Sequence, residues 1–211
     1  MKTDDLIVML AQGAGPAPRA VAARRLAPVA LGGLTASAVL AALTLGWVPA
    51  DLYLEIAPWF KLVYAGLLAL AAAWLAARLG RPLPRAGAPL VAVATVVAAA
   101  ALVGWSSLWQ MSPDERMPAL MGHSAVQCPW NVLGLSLPAL AAAMWALRGL
   151  APTRPVAAGA AAGLFAGALG AFGYALACTE LALPFVAAWY TLGVLMTVGV
   201  GALVGPRLLR W

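Results

Sequence analysis

Long apolar runs alternate along this chain with short polar punctuation. Six runs stand out, at about 27–47, 59–77, 88–109, 128–147, 156–177 and 184–204. Each is close to the ~20 residues that a helix needs to cross a hydrocarbon core of roughly 30 Å. Backbone groups in lipid must be satisfied within their own segment, so runs of this length predict transmembrane helices. The period-two alternation of a membrane β-barrel is missing. Trp47-Val48-Pro49 closes the first run and Pro58-Trp59-Phe60 opens the second. Arg78 to Arg85, with Pro82 and Pro84, separates the second from the third, and Ser112-Pro113-Asp114-Glu115 follows the third. Arg148 to Pro155 links the fourth and fifth, and a short turn around Cys178-Thr179-Glu180 joins the last two. The expected fold is an all-α polytopic membrane protein, with residues 1–25 as an amino-terminal arm and residues 26–211 as a six-helix domain.

Composition agrees with that pattern. The chain has 211 residues, of which 64% are hydrophobic and only 9% charged, far from the usual balance of a soluble domain. The distribution of charge then adds an orientation. One side of the expected topology receives Lys2, Arg19, Arg24, Arg25, Arg78, Arg81, Arg85, Arg148, Arg154, Arg207 and Arg210, and the other only Lys61 and Arg116. Short loops rich in Lys and Arg stay cytoplasmic, so both termini are expected inside a bacterial inner membrane. The net charge of +6 thus reads as topology and contact with anionic lipid, rather than as a nucleic-acid surface. Asp4, Asp5 and two prolines precede the first long run, a beginning unlike a cleaved signal peptide.

The runs contain almost no ionisable residues. Lys61, near the start of the second, is expected to snorkel to the interface. Transporters and proton pumps usually carry buried Asp, Glu, Arg or His, so a small permease or metal-handling channel is the alternative reading, not the leading one. Trp47, Trp59, Trp105, Trp109, Trp130 and Trp189 sit near run ends and suit an interfacial belt. Gly159, Gly163 and Gly167 recur every four residues, followed by Gly170 and Gly173. Such a stripe lets a second helix approach closely, within the chain or across a dimer.

Cys128 falls at the outer start of the fourth run and Cys178 at the outer end of the fifth, with His123 in the same region. Three readings of the cysteines stand side by side: a structural disulfide, a soft-metal or redox sensor helped by His123 or Glu180, and two small apolar residues without a shared role. There is no C-x-x-C pair, no His-rich centre and no phosphate-cradling loop, so enzymatic chemistry is not expected. In the arm, Thr3 can cap a short helix, with Asp4 and Asp5 favourable in its first turn. Leu6, Ile7, Met9 and Leu10 would then form an apolar surface over about two turns, marginal in water. Such a helix should lie on the membrane or fold against a protein partner. Gly13-Ala14-Gly15-Pro16-Ala17-Pro18 reads as a loose linker.

Several strings together resemble the NrsF family of membrane anti-sigma factors. They are Met1-Lys2-Thr3-Asp4-Asp5-Leu6-Ile7, Ala151-Pro152-Thr153-Arg154-Pro155, Pro184-Phe185-Val186-Ala187-Ala188-Trp189-Tyr190-Thr191-Leu192-Gly193 and Gly205-Pro206-Arg207-Leu208-Leu209-Arg210-Trp211. The family's paired cysteines match Cys128, before Pro129-Trp130, and Cys178, before Thr179-Glu180. The resemblance implies a protein that holds an extracytoplasmic-function sigma factor at the inner membrane. It implies release under heavy-metal or oxidative stress, with the two cysteines needed for the response. His123 matches no family motif. No obligatory cofactor is implied, only a soft or heavy metal ion at Cys128 and Cys178 as signal. The sigma factor would bind the arm, through Thr3, Asp4, Asp5, Leu6, Ile7, Met9 and Leu10. Direct nucleic-acid binding is not expected, and the oligomeric state is left open.

Overall fold

The computed structural model describes residues 3–13, 20–81 and 84–210. Lys2, Arg19, Pro82, Trp211 and the linker from Ala14 to Pro18 lie outside the described residues. Apart from turns, the described chain is helical: α1 Thr3–Gly13, α2 Val21–Leu45, α3 Ile56–Leu79, α4 Gly87–Gln110, α5 Pro113–Met121, α6 Gln127–Arg148, α7 Pro155–Ala175 and α8 Leu183–Leu208. Six of them (α2, α3, α4, α6, α7 and α8) are long and apolar enough to cross a membrane. Their bounds lie within a few residues of the runs read from the sequence, except that α2 starts six residues earlier, at Val21.

Helix α7 is the axis of the bundle, and α2, α3, α6 and α8 all pack on it, with α4 outside against α3 and the start of α8. Glycine makes that position available. A side-chain carbon at Gly159 or Gly163 would run into the α8 backbone at Gly201 or Thr197, while Gly201 and Gly205 face α7 in the same way. Gly167 meets Val194 and Thr197, Gly170 meets Val132 and Ser136 of α6, and Gly173 meets Ser37 of α2. The stripe therefore serves packing inside one chain, where backbones approach too closely for any side chain. The polar side chains buried along these seams are partnered. Ser136 Oγ and Thr197 Oγ1 are 3.1 Å apart, and Ser37 Oγ donates to Gly170 O at 3.4 Å.

The outward surfaces of the spanning helices stay apolar. Leu31, Leu43, Leu70, Trp145 and Leu203 are each more than two-thirds exposed, a surface that water would not tolerate over such an area.

Helix α5 is an element the sequence reading treated only as punctuation. Its start is a capping box: the Ser112 N–H and hydroxyl both donate to Glu115 Oε2, at 3.2 and 2.8 Å, and Pro113 follows at the first helical position. Both devices favour a helix start. The helix ends at Gly122, whose φ of +52° takes the chain out of helical geometry.

Candidate functional site

Contacts between helix ends sort the molecule into two poles. At one, the Arg25 side chain lies over Gly149, Gly80 abuts Leu147 and Leu150, and Gly205 abuts Pro155. This pole carries Arg24, Arg25, Arg78, Arg81, Arg85, Arg148, Arg154, Arg207 and Arg210, all exposed except the half-buried Arg78. Of the seven acidic residues in the chain, only Asp4 and Asp5 lie outside the opposite half of the topology, on α1, which precedes this pole in sequence. Every described side chain of α1 is exposed, including Leu6, Ile7, Met9 and Leu10 at 40–66%. Thr3 is already helical, one step inside the capping position expected for it, and Asp4 and Asp5 occupy the first turn as expected.

The opposite pole is more ordered than its sequence suggests. Both cysteines are free thiols and both are buried, Cys128 in the first turn of α6 and Cys178 just beyond α7. Around them stand Tyr174 of α7, whose hydroxyl lies against Cys128 with Ser124 and Asn131 nearby, and Tyr190 of α8, which lies against Cys178. The two tyrosine rings are 5.4 Å apart. Tyr190 belongs to a π-helical turn, Val186–Tyr190, a local widening that often marks functional positions. Its hydroxyl is fully buried and finds no aligned hydrogen-bond partner among the described residues.

The ends of α7 and α6 are held by groups from elsewhere in the chain. Leu176 O accepts the Val48 N–H at 2.9 Å, and Cys178 O accepts the Lys61 ammonium at 2.7 Å. Lys61 is completely buried, so the snorkelling expected of it does not occur. Its ammonium turns inward to the carbonyl of Cys178, just past the C-terminal end of α7, where a cation also suits the helix dipole. Glu180 Oε1 accepts the His123 N–H at 2.8 Å and the Ser124 hydroxyl at 2.9 Å, pinning the turn that leads into α6. The His123 side chain is wholly exposed and its Nδ1 is 3.9 Å from Glu180 Oε2. Trp189 is half-buried, and its indole N–H donates to Leu120 O at 2.8 Å, clamping α5 to α8. Trp47, Trp59, Trp105, Trp109 and Trp130 keep outward, exposed positions.

Chemically, then, the outer pole offers two buried thiols beside a buried ammonium and two buried phenols. No group of three or more His, Cys, Asp or Glu among the described residues is arranged to hold a metal ion. A soft cation there would rest on the two sulfurs. Sequence reasoning missed Lys61, Tyr174 and Tyr190 as neighbours of the cysteines. The one usable signal was Lys61, an ionisable residue inside a span.

Comparison with known proteins follows the same outline. The profile of the NrsF family, described as negative regulator of sigma F, matches residues 10–211. The chain is 42% identical over 218 residues to the anti-sigma-F factor NrsF of Caulobacter vibrioides, covering 100% of both chains. It is 39% identical over 214 residues to a probable anti-sigma-F factor NrsF of Azospira oryzae, again covering 100% of both. No solved structure matches it.

Proposed function

The chain belongs to the NrsF family, whose members are regulators and not enzymes, and on that premise we propose that it is a membrane-embedded anti-sigma factor. Its six long helices cross the bacterial inner membrane with the arginine pole and both termini in the cytoplasm, as the distribution of positive charge favours. It holds a sigma factor of the extracytoplasmic-function type through α1, whose Leu6, Ile7, Met9 and Leu10 form an exposed apolar surface. The partner buries that surface, and Thr3, Asp4 and Asp5 supply polar contacts at its edge. An amphipathic helix laid into a partner's groove is a common mode of recognition.

Cys128 and Cys178 sense heavy metal or oxidant from the outer side. A soft cation bridging the sulfurs, or their oxidation, favours one packing of α6 and α7 over another. The cytoplasmic ends of these helices, beside Arg148 and Arg154, carry the change to the sigma-binding surface. A tenfold preference of the signal for one packing state is worth about 1.4 kcal/mol. Glu180 pins the turn before α6 and also faces Lys61, so it supports the site from its edge, with the solvent-facing His123 imidazole beside it.

The observation that carries this reading is the separation of the two poles, with buried thiols at one and the unpartnered helix leading into the other. The test is co-purification of the full chain with the sigma factor expressed from the same operon. The full chain should retain the sigma factor in the membrane fraction, and removal of residues 1–12 should release it. Intact binding after that truncation would overturn the assignment to α1, and no binding by the full chain would overturn the anti-sigma reading itself.

A further inference from the structure

A lysine sealed inside a helical bundle asks for an explanation, since burying an ammonium is costly unless its donors are satisfied. Lys61 has no exposed surface and, among the described residues, one hydrogen bond, to Cys178 O at 2.7 Å. The other groups facing it are the sulfurs of Cys178 and Cys128 and the carboxylate of Glu180. The Val48 N–H already shows how this chain satisfies a carbonyl just past α7 at lower cost, with a neutral main-chain group on Leu176 O. A charged residue on the carbonyl two residues further along is more than that task requires. Beside Cys178, the Tyr190 hydroxyl is fully buried and finds no aligned hydrogen-bond partner among the described residues. The surroundings of Cys178 thus hold both a buried ammonium and a buried hydroxyl without an aligned partner.

We propose that Lys61 is a positioning residue of the two-cysteine site: its buried ammonium latches α3 onto the Cys178 carbonyl, and the latch opens when the sulfurs take up a soft dication or join as a disulfide. The inference rests on reading the two cysteines as the sensor. A dication held by two thiolates is neutral as a unit and acts through geometry: it draws both sulfurs into one coordination sphere, which moves the Cys178 main chain that Lys61 holds. Its uptake replaces the two thiol protons, which leave to solvent. A disulfide fixes its own narrow geometry, so joining two sulfurs that now stand free pulls on the Cys178 main chain that Lys61 holds. Either event frees the start of α3 from the end of α7. The opposite end of α3 lies at the arginine pole, where Gly80 packs on Leu147 of α6 and on Leu150 in the turn into α7, so the loss of the latch reaches the side on which the sigma factor is held.

Lys61 is one of only two lysines in the chain, which makes its amine a clean reporter. The full chain in lipid nanodiscs is given a short pulse of acetic anhydride, and acetylation of Lys61 is read by mass spectrometry against the same protein denatured in SDS. Without signal, Lys61 should react at least about tenfold more slowly than in the denatured chain, as expected of a protected buried group. Cadmium binding is followed by thiolate-to-metal charge-transfer absorbance. Saturation should raise Lys61 acetylation several-fold, and a Cys128→Ser, Cys178→Ser variant should show no rise. Cadmium bound without any rise overturns the latch and leaves the sensor standing. If cadmium does not bind, the metal reading of the sensor falls and diamide decides the latch. Diamide takes the two thiol hydrogens as the disulfide forms, and Lys61 that stays protected overturns the proposal. A pair that accepts neither cadmium nor a disulfide overturns both readings. In cells, Lys61→Met should release the sigma factor without signal and Lys61→Arg should restore retention. A Lys61→Met protein that retains the sigma factor and responds like the wild type overturns the latch, and the labelling of the wild-type chain decides the matter if that variant does not fold.

Discussion

The Glu180 carboxylate accepts the main-chain N–H of His123 at 2.8 Å, while the His123 imidazole itself is wholly exposed to solvent. The acid, not the imidazole, is the member of this pair that shapes the outer pole. Its second bond, from the Ser124 hydroxyl at 2.9 Å, ties the same turn, and Gly122 lies so close that an added side-chain carbon would strike the Glu180 carboxylate and Phe185. Glu180→Ala removes a charged acceptor from two donors and should cost about 2 kcal/mol of stability. His123→Ala should change stability by less than about 0.5 kcal/mol. Thermal unfolding in detergent measures both. A metal response that disappears in His123→Ala, with Cys128 and Cys178 intact, would return the imidazole to the sensor.

The α7–α8 seam has no room for a methyl group at Gly163, where the obstacle is the α8 backbone at Thr197 and Val198. Gly163→Ala should destabilise the bundle by about 1–3 kcal/mol, the usual cost of overpacking, or more because backbone cannot yield as a side chain does. Gly199→Ala, on the same helix α8 but with nothing within 4 Å, should be neutral or stabilising by up to about 1 kcal/mol, since alanine is the better helix former. Equal unfolding temperatures for the two variants would contradict the seam.

Burial makes a distinct prediction for the thiols. Cys128 is 0% and Cys178 4% exposed, so a membrane-impermeant maleimide should label neither efficiently in intact spheroplasts. Both should label after denaturation. A local opening that costs about 3 kcal/mol would give roughly hundredfold protection. Rapid labelling of the native protein would mean that the thiols are accessible at rest.

Substitution of both sensors separates sensing from holding. The Cys128→Ser, Cys178→Ser chain should retain the sigma factor at the wild-type level and fail to release it under cadmium or diamide, as read by a sigma-dependent reporter. Release that persists in this variant would sink the sensing reading while leaving the anti-sigma reading intact.

At the other pole, Leu6→Asp with Ile7→Asp should weaken sigma-factor binding by about 2 kcal/mol or more, roughly thirtyfold, as for a buried apolar anchor. Both residues are exposed in the free chain, so its unfolding temperature should not move. A drop in unfolding temperature equal to that of a core substitution would show instead that α1 packs on its own bundle.

Local information along the sequence was sufficient for the six long helices and the placement of charge at their ends. Helix length and apolar runs are local properties, and the sorting of arginines needs only a count of loops. The glycine repeat from Gly159 to Gly167 announced a close helix contact, but only the fold selected α8 as the neighbour, because any helix can meet a small-residue stripe. The capping box at Ser112 was equally local, and α5 could have been read from it. Nothing local reveals the company of the two cysteines. Lys61, Tyr174, Cys178 and Tyr190 come from α3, α7 and α8 and the turn between the last two, and their proximity depends on which helices surround α7. Lys61 shows the difference most clearly: by sequence it is a lysine near the end of a span, free to reach water. Tertiary packing closes that route and leaves the carbonyl of Cys178 as its acceptor.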